Sequence, residues 1–463
     1  MKIYPLYILL FLVVISCSSS DEAPAINNEE EEEEDIEEPE IVYQNELDVL
    51  KTYGGSQEDD ALSVIETQDG NIAVLGFTQS NDGDVTGKTT TDSDYWFLKF
   101  DQDLNILWQK TFGGSSDDRG QDIVATSDGG FLITGFSRSL DGDVSQNFGF
   151  HDFWALKLTA SGDIIWDKSF GFSGNDRSFA AIELADGGYF LSGFLDVSAS
   201  GGEGNDDGVN GRPKSNFPKH GVGEFWGIKL NADGETQWRR FFGGTNNDRS
   251  YDAIEAHDGN IIMIGSSESD DFDITNPRGS YDIWVVKVNL NGDLIWQKNF
   301  GGSSIEIGYG IDKTIDGNYI LAGDTRSSDA DIQNFRGNTD YWLIKFDDSG
   351  QMVWEQTYGG TDFESARDVI ELDNGDLLIS GSSKSNNNQV SENFGQNDIW
   401  LVQTNPNGSL KNEISVGGSE LDLGQKAIQL SDGSVVVVGS SESKDQLITE
   451  NKGDKDVLII KLK

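Results

Sequence analysis

Pairs of aspartates separated by one residue recur along this chain of 463 residues and form its clearest candidate metal sites. Each pair follows a serine in the pattern Ser-x-Asp-x-Asp, and the complete examples are Asp82/Asp84, Asp141/Asp143, Asp271/Asp273 and Asp329/Asp331. Carboxylate oxygens two residues apart suit Ca²⁺, a hard cation that takes six to eight oxygen ligands. The pattern lacks the glutamate that closes an EF-hand loop, so the alternative is a set of Asx turns without a metal. Ca²⁺ is therefore the candidate cofactor.

Basic residues are scarce, with 33 against 81 acidic residues and a formal net charge of −48. This balance excludes nucleic acid as a partner, because phosphate binding needs clusters of lysine and arginine. Arg119, Arg177 and Arg249 nevertheless occupy the same place in three consecutive sequence repeats. Four more basic residues lie in an insertion near residues 195–223, namely Arg212, Lys214, Lys219 and His220.

These basic residues predict an electropositive spot that would bind a carboxylate-bearing glycan or an acidic segment of a partner protein. The alternative is that the arginines only neutralise the aspartates beside them and that the insertion is a tolerated surface loop. Phe148, Phe335 and Phe394 each follow an asparagine in a segment expected to form an exposed loop. They are candidates for stacking on sugar rings, with solvated loop residues as the alternative.

Residues typical of catalytic centres are few, since the chain has three histidines and one cysteine. A Gly-x-Ser-x-Gly elbow and a His-Glu-x-x-His motif do not stand out in the sequence. The sequence therefore favours a binding or scaffolding module over an enzyme. The alternative is an extracellular polysaccharide hydrolase or lyase that uses carboxylates on the same surface.

A repeat of 58 residues supplies the elements that position these side chains. An aromatic-Gly-Gly motif or a close variant begins each unit, at Gly54, Gly113, Gly171, Gly243, Gly301, Gly359 and Gly417. Each unit holds four segments of strand type and length, joined by two short turns and two longer loops. Residues 41–463 are thus predicted to form an all-β, seven-bladed β-propeller of four-stranded antiparallel blades.

The two ends of the repeated region complement one another. The last unit stops after a third strand, DVLIIKLK, and the segment ELDVLKTY before the first Gly-Gly doublet matches a fourth strand. We expect this N-terminal strand to complete the last blade and close a monomeric ring. The tight turns share one face of the ring and the longer loops share the other, which we call the long-loop face. Binding residues are commonly carried by such loops, so this face is the expected ligand surface.

Two acidic positions recur in all seven units. The first stands five residues after the first glycine of each doublet, at Asp59, Asp118, Asp176, Asp248, Glu306, Glu364 and Asp422. The second opens the third strand, at Asp94, Asp152, Glu224, Asp282, Asp340, Asp398 and Asp456. A feature of every blade is expected to serve the geometry of every blade, here by accepting backbone hydrogen bonds. The alternative is a ring of ion or substrate ligands.

The first forty residues predict an export signal and an anchor. Residues 1–16 combine the basic Lys2 with an apolar run too short to span a bilayer, as in a signal peptide. The segment Val14-Ile15-Ser16-Cys17 resembles a bacterial lipobox, which implies cleavage before Cys17 and lipidation of its thiol. Residues 17–40 form an acidic tether expected to stay extended. Its Ser/Asp/Glu-rich start resembles the surface-export signal of Bacteroidota lipoproteins, which implies a cell-surface lipoprotein of the outer membrane that contacts the membrane only through its lipid.

The repeats resemble those of bacterial surface lipoproteins with β-propeller repeats, a family mostly without an assigned function. The Gly-Gly doublets are similar to kelch repeats, although the period is longer than the usual ~50 residues. The GDIIW ending is similar to quinoprotein dehydrogenase blades, from which this chain departs in having seven units and a single cysteine. The resemblance implies a β-propeller at the cell surface that binds glycan or surface-protein ligands.

Overall fold

The computed structural model describes residues 46–205 and 220–463, which form seven four-stranded antiparallel sheets. The predicted seven-bladed β-propeller is confirmed. In six blades the strands follow one another along the chain from the innermost to the outermost. Blade 1 contains β2 (Asp59–Glu66), β3 (Ile72–Thr78), β4 (Asp94–Phe100) and β5 (Ile106–Phe112). Blade 2 contains β6 (Asp118–Ala125), β7 (Phe131–Ser137), β8 (Asp152–Leu158) and β9 (Ile164–Phe170).

The next four blades repeat this order. Blade 3 contains β10 (Arg177–Glu183), β11 (Tyr189–Leu195), β12 (Glu224–Leu230) and β13 (Thr236–Phe242), with helix α1 (Val197–Ser200) after β11. Blade 4 contains β14 (Asp248–Glu255), β15 (Ile261–Ser267), β16 (Asp282–Val288) and β17 (Leu294–Phe300). Blade 5 contains β18 (Glu306–Lys313), β19 (Tyr319–Thr325), β20 (Asp340–Phe346) and β21 (Met352–Tyr358). Blade 6 contains β22 (Glu364–Glu371), β23 (Leu377–Ser383), β24 (Asp398–Thr404) and β25 (Leu410–Val416).

Blade 7 joins the two ends of the propeller. It contains β26 (Asp422–Gln429), β27 (Val435–Ser441) and β28 (Asp456–Leu462), with β1 (Leu47–Tyr53) as the outermost strand. β1 runs antiparallel to β28, from Leu47 opposite Leu462 to Tyr53 opposite Val457. The N-terminal strand therefore closes the ring, as the sequence predicted.

The hydrophobic core lies between neighbouring blades, and the repeated tryptophans build much of it. The six third-strand tryptophans are fully buried, at Trp96, Trp154, Trp226, Trp284, Trp342 and Trp400. The fourth-strand tryptophans pack against the next blade, where a Cβ on the turn residue Gly162 would press on Trp108. Burying ~200 Å² of one tryptophan is worth about 5 kcal/mol, so the core can stabilise so acidic a chain.

Within the described part of the chain, no helix has the length and apolar character needed to cross a membrane. The signal peptide, the tether and Cys17 lie outside the described residues.

Candidate functional site

The Ser-x-Asp-x-Asp loops bind the backbone of the Gly-Gly segment that precedes the same blade. Asp82 Oδ1 accepts a hydrogen bond from Ser56 N at 2.7 Å, and Asp84 Oδ2 accepts one from Gly54 N at 3.1 Å. The pairs Asp141/Asp143, Asp271/Asp273 and Asp329/Asp331 make the equivalent bonds.

The uncharged counterparts in blade 6 make the same contacts. Asn387 Oδ1 accepts from Thr361 N at 3.0 Å, and Gln389 Oε1 accepts from Gly359 N at 3.1 Å. This geometry therefore needs an oxygen and no negative charge, which supports the interpretation without a metal. Among residues 46–205 and 220–463, no three His, Cys, Asp or Glu side chains are placed to hold a metal ion.

At Asp331, one of the predicted metal ligands, a cation of the protein pairs with the carboxylate. Oδ2 of Asp331 forms an ion pair with Nη1 of Arg278, which belongs to the preceding blade. The same oxygen accepts a hydrogen bond from Gly301 N at 3.2 Å, so a guanidinium and the backbone share its lone pairs. Asp331 therefore takes part in an ion pair that links blades 4 and 5, and its assignment as a Ca²⁺ ligand stays a prediction.

Asp84 is paired in a similar way, with Nζ of Lys452 as its cation. Lys452 comes from blade 7, which precedes blade 1 around the ring, so this pair also joins neighbouring blades. At both positions the carboxylate has a structural partner. For all eight aspartates of these loops, Ca²⁺ binding stays a prediction.

The two repeated acidic positions meet around the first glycine of each doublet. In blade 2, Asp118 accepts a hydrogen bond from Gly114 N at 2.8 Å, and Ser139 Oγ donates to it at 2.7 Å. Asp94, from the third strand of blade 1, lies on the other side of Gly113, where a Cβ would collide with both carboxylates. Glycine is required there because the two buried acids leave no room for a side chain.

These carboxylates are destabilised as anions by burial. Burial raises the pKa of Asp94 and Asp176 to about 7 and that of Asp152 to about 6. Burial, with Asp248 alongside, raises the pKa of Glu224 to about 10. The acids open or brace strands and accept backbone N–H groups, so the geometry supports their predicted structural role.

Arg119, Arg177 and Arg249 stand at the start of the innermost strands of blades 2, 3 and 4, and we call them the arginine row. Each guanidinium lies over a phenylalanine of the preceding blade, with distances from Cζ to the ring centroid of 4.5 Å for Phe77, 4.4 Å for Phe136 and 4.8 Å for Phe194. All three side chains are half-buried. The rings hold the guanidinium planes in place while one side of each stays open to solvent.

The positive charge of the row is only partly compensated. Arg119 Nε donates to Asp117 Oδ1 at 2.8 Å, whereas the Nε atoms of Arg177 and Arg249 are buried and donate no hydrogen bond. Burial lowers the pKa of Arg177, Asp117 raises it, and the nearby Arg119 and Arg249 lower it again. The aspartates adjacent in sequence accept bonds from backbone and serine groups, so they are not the partners of these guanidinium groups.

His151, a residue that sequence analysis did not select, braces the row. Its Nδ1 lies 2.7 Å from Asn175 Oδ1 and 3.4 Å from Arg177 Nη2, and its Nε2 lies 3.6 Å from Asp117 Oδ2. Burial alone would raise the pKa of Asp117, but hydrogen bonds from His151 and Arg119 bring it well below its ordinary value. Asp117 therefore stays ionised and fixes one end of the row.

The described ends of the insertion pack on blades 3 and 4. His220 is buried, with its ring 4.8 Å from that of Phe272 and 5.0 Å from that of Phe241, centroid to centroid. Burial lowers its pKa, which Asp273 and Asp271 partly offset. His220 is thus a packing residue here. The other predicted binding residues of the insertion, Arg212, Lys214 and Lys219, lie outside the described residues.

The three predicted stacking residues differ in exposure. Phe148 is 54% exposed, whereas Phe335 and Phe394 are half-buried and Phe335 packs against the core. Phe148 borders a cavity of about 520 Å³ on the long-loop face, together with Phe172, Arg239 and the backbone near α1. We call this the loop cavity. It places one predicted stacking residue beside the insertion.

A second cavity, which sequence analysis missed, lies on the axis of the ring. Each innermost strand has a β-bulge at the same point, shown by register shifts such as Ala61/Ser63 and Gly120/Asp122. The residues skipped by the bulges line a space of about 330 Å³ and are Leu62, Gln121, Phe179, Tyr251, Tyr309, Arg367, Gln425 and Lys426. We call it the channel cavity. Its sequence signal is a position that varies inside an otherwise repeated strand, eight residues after the first glycine of each doublet.

The fold and this geometry define the chain as a β-propeller, and the solved structures it resembles are β-propeller proteins. A protein of unknown function from Bacteroides caccae is 13% identical over 69% of this chain and 90% of that chain, with a TM-score of 0.38. The Neurospora crassa Pan2 WD40 domain is 9% identical over 86% and 88%, with a TM-score of 0.47. Penicillium chrysogenum α-L-arabinanase complexed with arabinobiose is 10% identical over 89% and 97%, with a TM-score of 0.46.

No protein-family model and no curated protein sequence matches this chain. At these identities and TM-scores the structural similarities carry no inference about function. The resemblance to propeller-bearing surface lipoproteins stays a prediction from the sequence.

Proposed function

We propose that this protein is a binding module that takes a carboxylate-bearing ligand, glycan or protein, at the arginine row on its long-loop face. The observation that carries the proposal is the set of three half-buried guanidinium groups aligned on consecutive blades, each held over a phenylalanine ring of the preceding blade. Arginine presents a planar array of donors that matches a carboxylate.

The many carboxylates of the chain do not prevent a carboxylate ligand from binding at the arginine row. Beyond ~8 Å at physiological ionic strength, the repulsion from the many surface carboxylates is largely screened, whereas direct contacts persist. A ligand with several carboxylates is therefore held by short-range pairing and not by long-range attraction. The loop cavity beside Phe148 offers an aromatic surface for a sugar ring on the same face.

The alternative predicted from the sequence is a polysaccharide hydrolase or lyase that uses carboxylates of this face. What supports a binding role instead is that the repeated carboxylates are occupied by backbone N–H groups, as for Asp340 with Arg336 N at 2.8 Å and Gly337 N at 3.1 Å. A carboxylate held in this way is fixed by the backbone, which fits a structural role better than proton transfer to a substrate.

We further propose that the module is displayed at the cell surface by a lipid on Cys17, with residues 17–40 as a spacer. This part of the proposal rests on the lipobox-like segment and the acidic run in the sequence. The propeller would then contact the membrane through its lipid alone and act as a monomer.

The test compares two triple variants that remove the same net charge. Arg119→Gln/Arg177→Gln/Arg249→Gln empties the arginine row, and the control Lys110→Gln/Lys168→Gln/Lys298→Gln removes three outer-strand charges. Polygalacturonate and poly-glutamate are the carboxylate probes, dextran is the neutral probe, and binding is measured by calorimetry at physiological ionic strength. We expect both variants to fold, and only the first to lose carboxylate binding, by about tenfold or more. Equal binding by the two variants would refute the proposal, as would absent binding by the unmodified protein.

A further inference from the structure

We propose that the channel cavity is a second binding site, separate from the arginine row, that takes a neutral sugar ring. The site is built by the bulges of the innermost strands, which turn one extra side chain of each blade toward the axis. Bulges commonly re-aim side chains beside functional sites. The rest of each strand repeats from blade to blade, whereas these residues differ, so they do not serve a need shared by all blades.

One wall of the cavity is aromatic. Phe179 and Tyr251 of consecutive blades lie 5.4 Å apart, and Tyr251 and Tyr309 lie 5.2 Å apart, centroid to centroid. All three rings are partly exposed toward the axis. Sugar rings bind such surfaces through the C–H groups of one face, and a run of three rings is long enough to offer a stacking position.

The other wall carries hydrogen-bond donors and acceptors together. Lys426 Nζ donates to Asp122 Oδ1 at 2.9 Å, although blade 1 separates the blades that carry them. The amides of Gln121 and Gln425 add donors and acceptors on the same side. Because each sugar hydroxyl both donates and accepts, this mixture suits a polyol better than an ion.

The carboxylates of the cavity are already occupied by the protein. Asp122 accepts from Ala181 N and Asp252 accepts from Ile311 N, both at 3.0 Å, and Asp368 accepts from Ala427 N at 2.9 Å. Each bond joins one blade to the next. These carboxylates therefore hold the ring together and are poorly placed to pair with a cationic ligand.

The cations of the cavity are compensated as well. Burial lowers the pKa of Lys426, but Asp122, Asp252 and Asp368 raise it above its ordinary value, so the ammonium stays charged among them. Arg367 lies over the ring of Tyr309, with its Cζ 4.1 Å from the ring centroid, and Asp324 acts on it electrostatically. The lining thus holds two cations and three carboxylates, all of them already in contact with other groups of the protein, and its volume of about 330 Å³ fits one or two neutral sugar rings.

The experiment uses the full-length chain in detergent, with D-glucose, D-galactose, D-mannose and D-xylose as probes and tetramethylammonium as the cationic comparison. Saturation-transfer difference NMR reports contact, and titration gives the dissociation constant. We expect at least one sugar to receive saturation and the cation to receive none. Saturation of the cation alone, or of no probe, would overturn the proposal.

Variants then locate the contact. Tyr251→Ala and Tyr309→Ala should weaken sugar binding by about tenfold or more, while Tyr281→Ala, on a loop outside the channel, should leave it unchanged. Gln425→Trp fills the cavity without removing a stacked ring and should abolish the signal even if a tyrosine variant folds poorly. Sugar binding that survives in Gln425→Trp would place the site elsewhere. Sugar binding should also survive in the arginine-row variant, so the two proposals fail separately.

Discussion

Acidification is expected to stabilise this protein, and Asp340→Asn tests the reason. Asp340 opens β20, is fully buried, and has a pKa raised to about 7 by burial, with Glu364 adding to the effect. Between the ordinary pKa of 3.8 and this value, the folded protein holds a proton that the unfolded chain has released. Stability therefore falls as the pH rises through this window and is regained as the pH falls.

The magnitude follows from the size of the shift. A difference of about three pH units at 1.36 kcal/mol each gives about 4 kcal/mol for this carboxyl. Unfolding of the 41–463 unit, at about 2.1 cal/mol/K per residue, carries an entropy of about 0.9 kcal/mol/K. Between about pH 5 and about pH 7.5 only about two of these pH units apply, which is about 2.5 kcal/mol and corresponds to roughly 3 °C in melting temperature.

The assay is calorimetric melting of the unmodified protein, Asp340→Asn and the exposed control Asp233→Asn at these two pH values. We expect the unmodified protein and the control to melt higher at the lower pH. Asp340→Asn, which carries no charge to lose, should show a smaller rise and a higher melting temperature near neutral pH. A melting temperature that falls on acidification, or an unchanged pH response in Asp340→Asn, would refute the reasoning. Below about pH 4 the trend should reverse, because carboxylates paired with lysine, such as Asp69 with Lys99, become protonated.

Four further predictions address the ring, the anchor, the Ser-x-Asp-x-Asp loops and the insertion. Deleting residues 41–53 removes β1 and should unfold or oligomerise the protein, whereas a stable monomer with unchanged melting would contradict closure by this strand. Cys17→Ala should move the protein from the membrane fraction to the soluble fraction, and mass spectrometry of the unmodified protein should detect the lipid. If the Ser-x-Asp-x-Asp loops bind Ca²⁺, chelation should lower the melting temperature and added Ca²⁺ should raise it by mass action. An unchanged melting temperature from micromolar to millimolar Ca²⁺ would favour Asx turns without a metal. Replacing residues 206–219 by a Gly/Ser linker should weaken polygalacturonate binding. The melting temperature should stay unchanged, because the hydrogen bond from Trp226 Nε1 to Gly204 O, at 3.0 Å, is kept. Full binding would place the site away from the insertion.

The repeat made the architecture predictable, since a spacing of 58 residues with tryptophans in fixed places can be read without coordinates. The role of the repeated acids could also be inferred, because Asp118 and its counterparts serve every blade alike. The number of strands and the closing partner of β1 followed from the same pattern.

The channel cavity could not be predicted in the same way. Tyr251, Arg367 and Gln425 occupy one repeat position, and because the residue type at this position changes between blades it forms no shared motif. These side chains face the axis because each strand has a β-bulge at this position. The alternation of apolar and polar residues in a strand does not show where a bulge occurs.

Contacts between different repeats were also hidden from the sequence. His151 was missed because its partners Asn175 and Arg177 come from the next unit and meet it only once the blades are assembled. The ion pair between Asp331 and Arg278 was hidden for the same reason. Arg278 lies in the preceding unit, 53 residues before Asp331, and no spacing rule connects the two residues.

The pairing of β1 with β28 also determines when this protein can finish folding. Leu47 and Leu462 are neighbours across that pair, yet about 400 residues of chain separate them. During synthesis the first strand emerges early and must wait without its partner until the last strand has been made. Six blades can assemble from local contacts in the meantime, while the exposed edge of β28 appears only at the end. Ring closure is thus a late, slow step, and a chain released before residue 456 would keep both edges open to pairing with another copy.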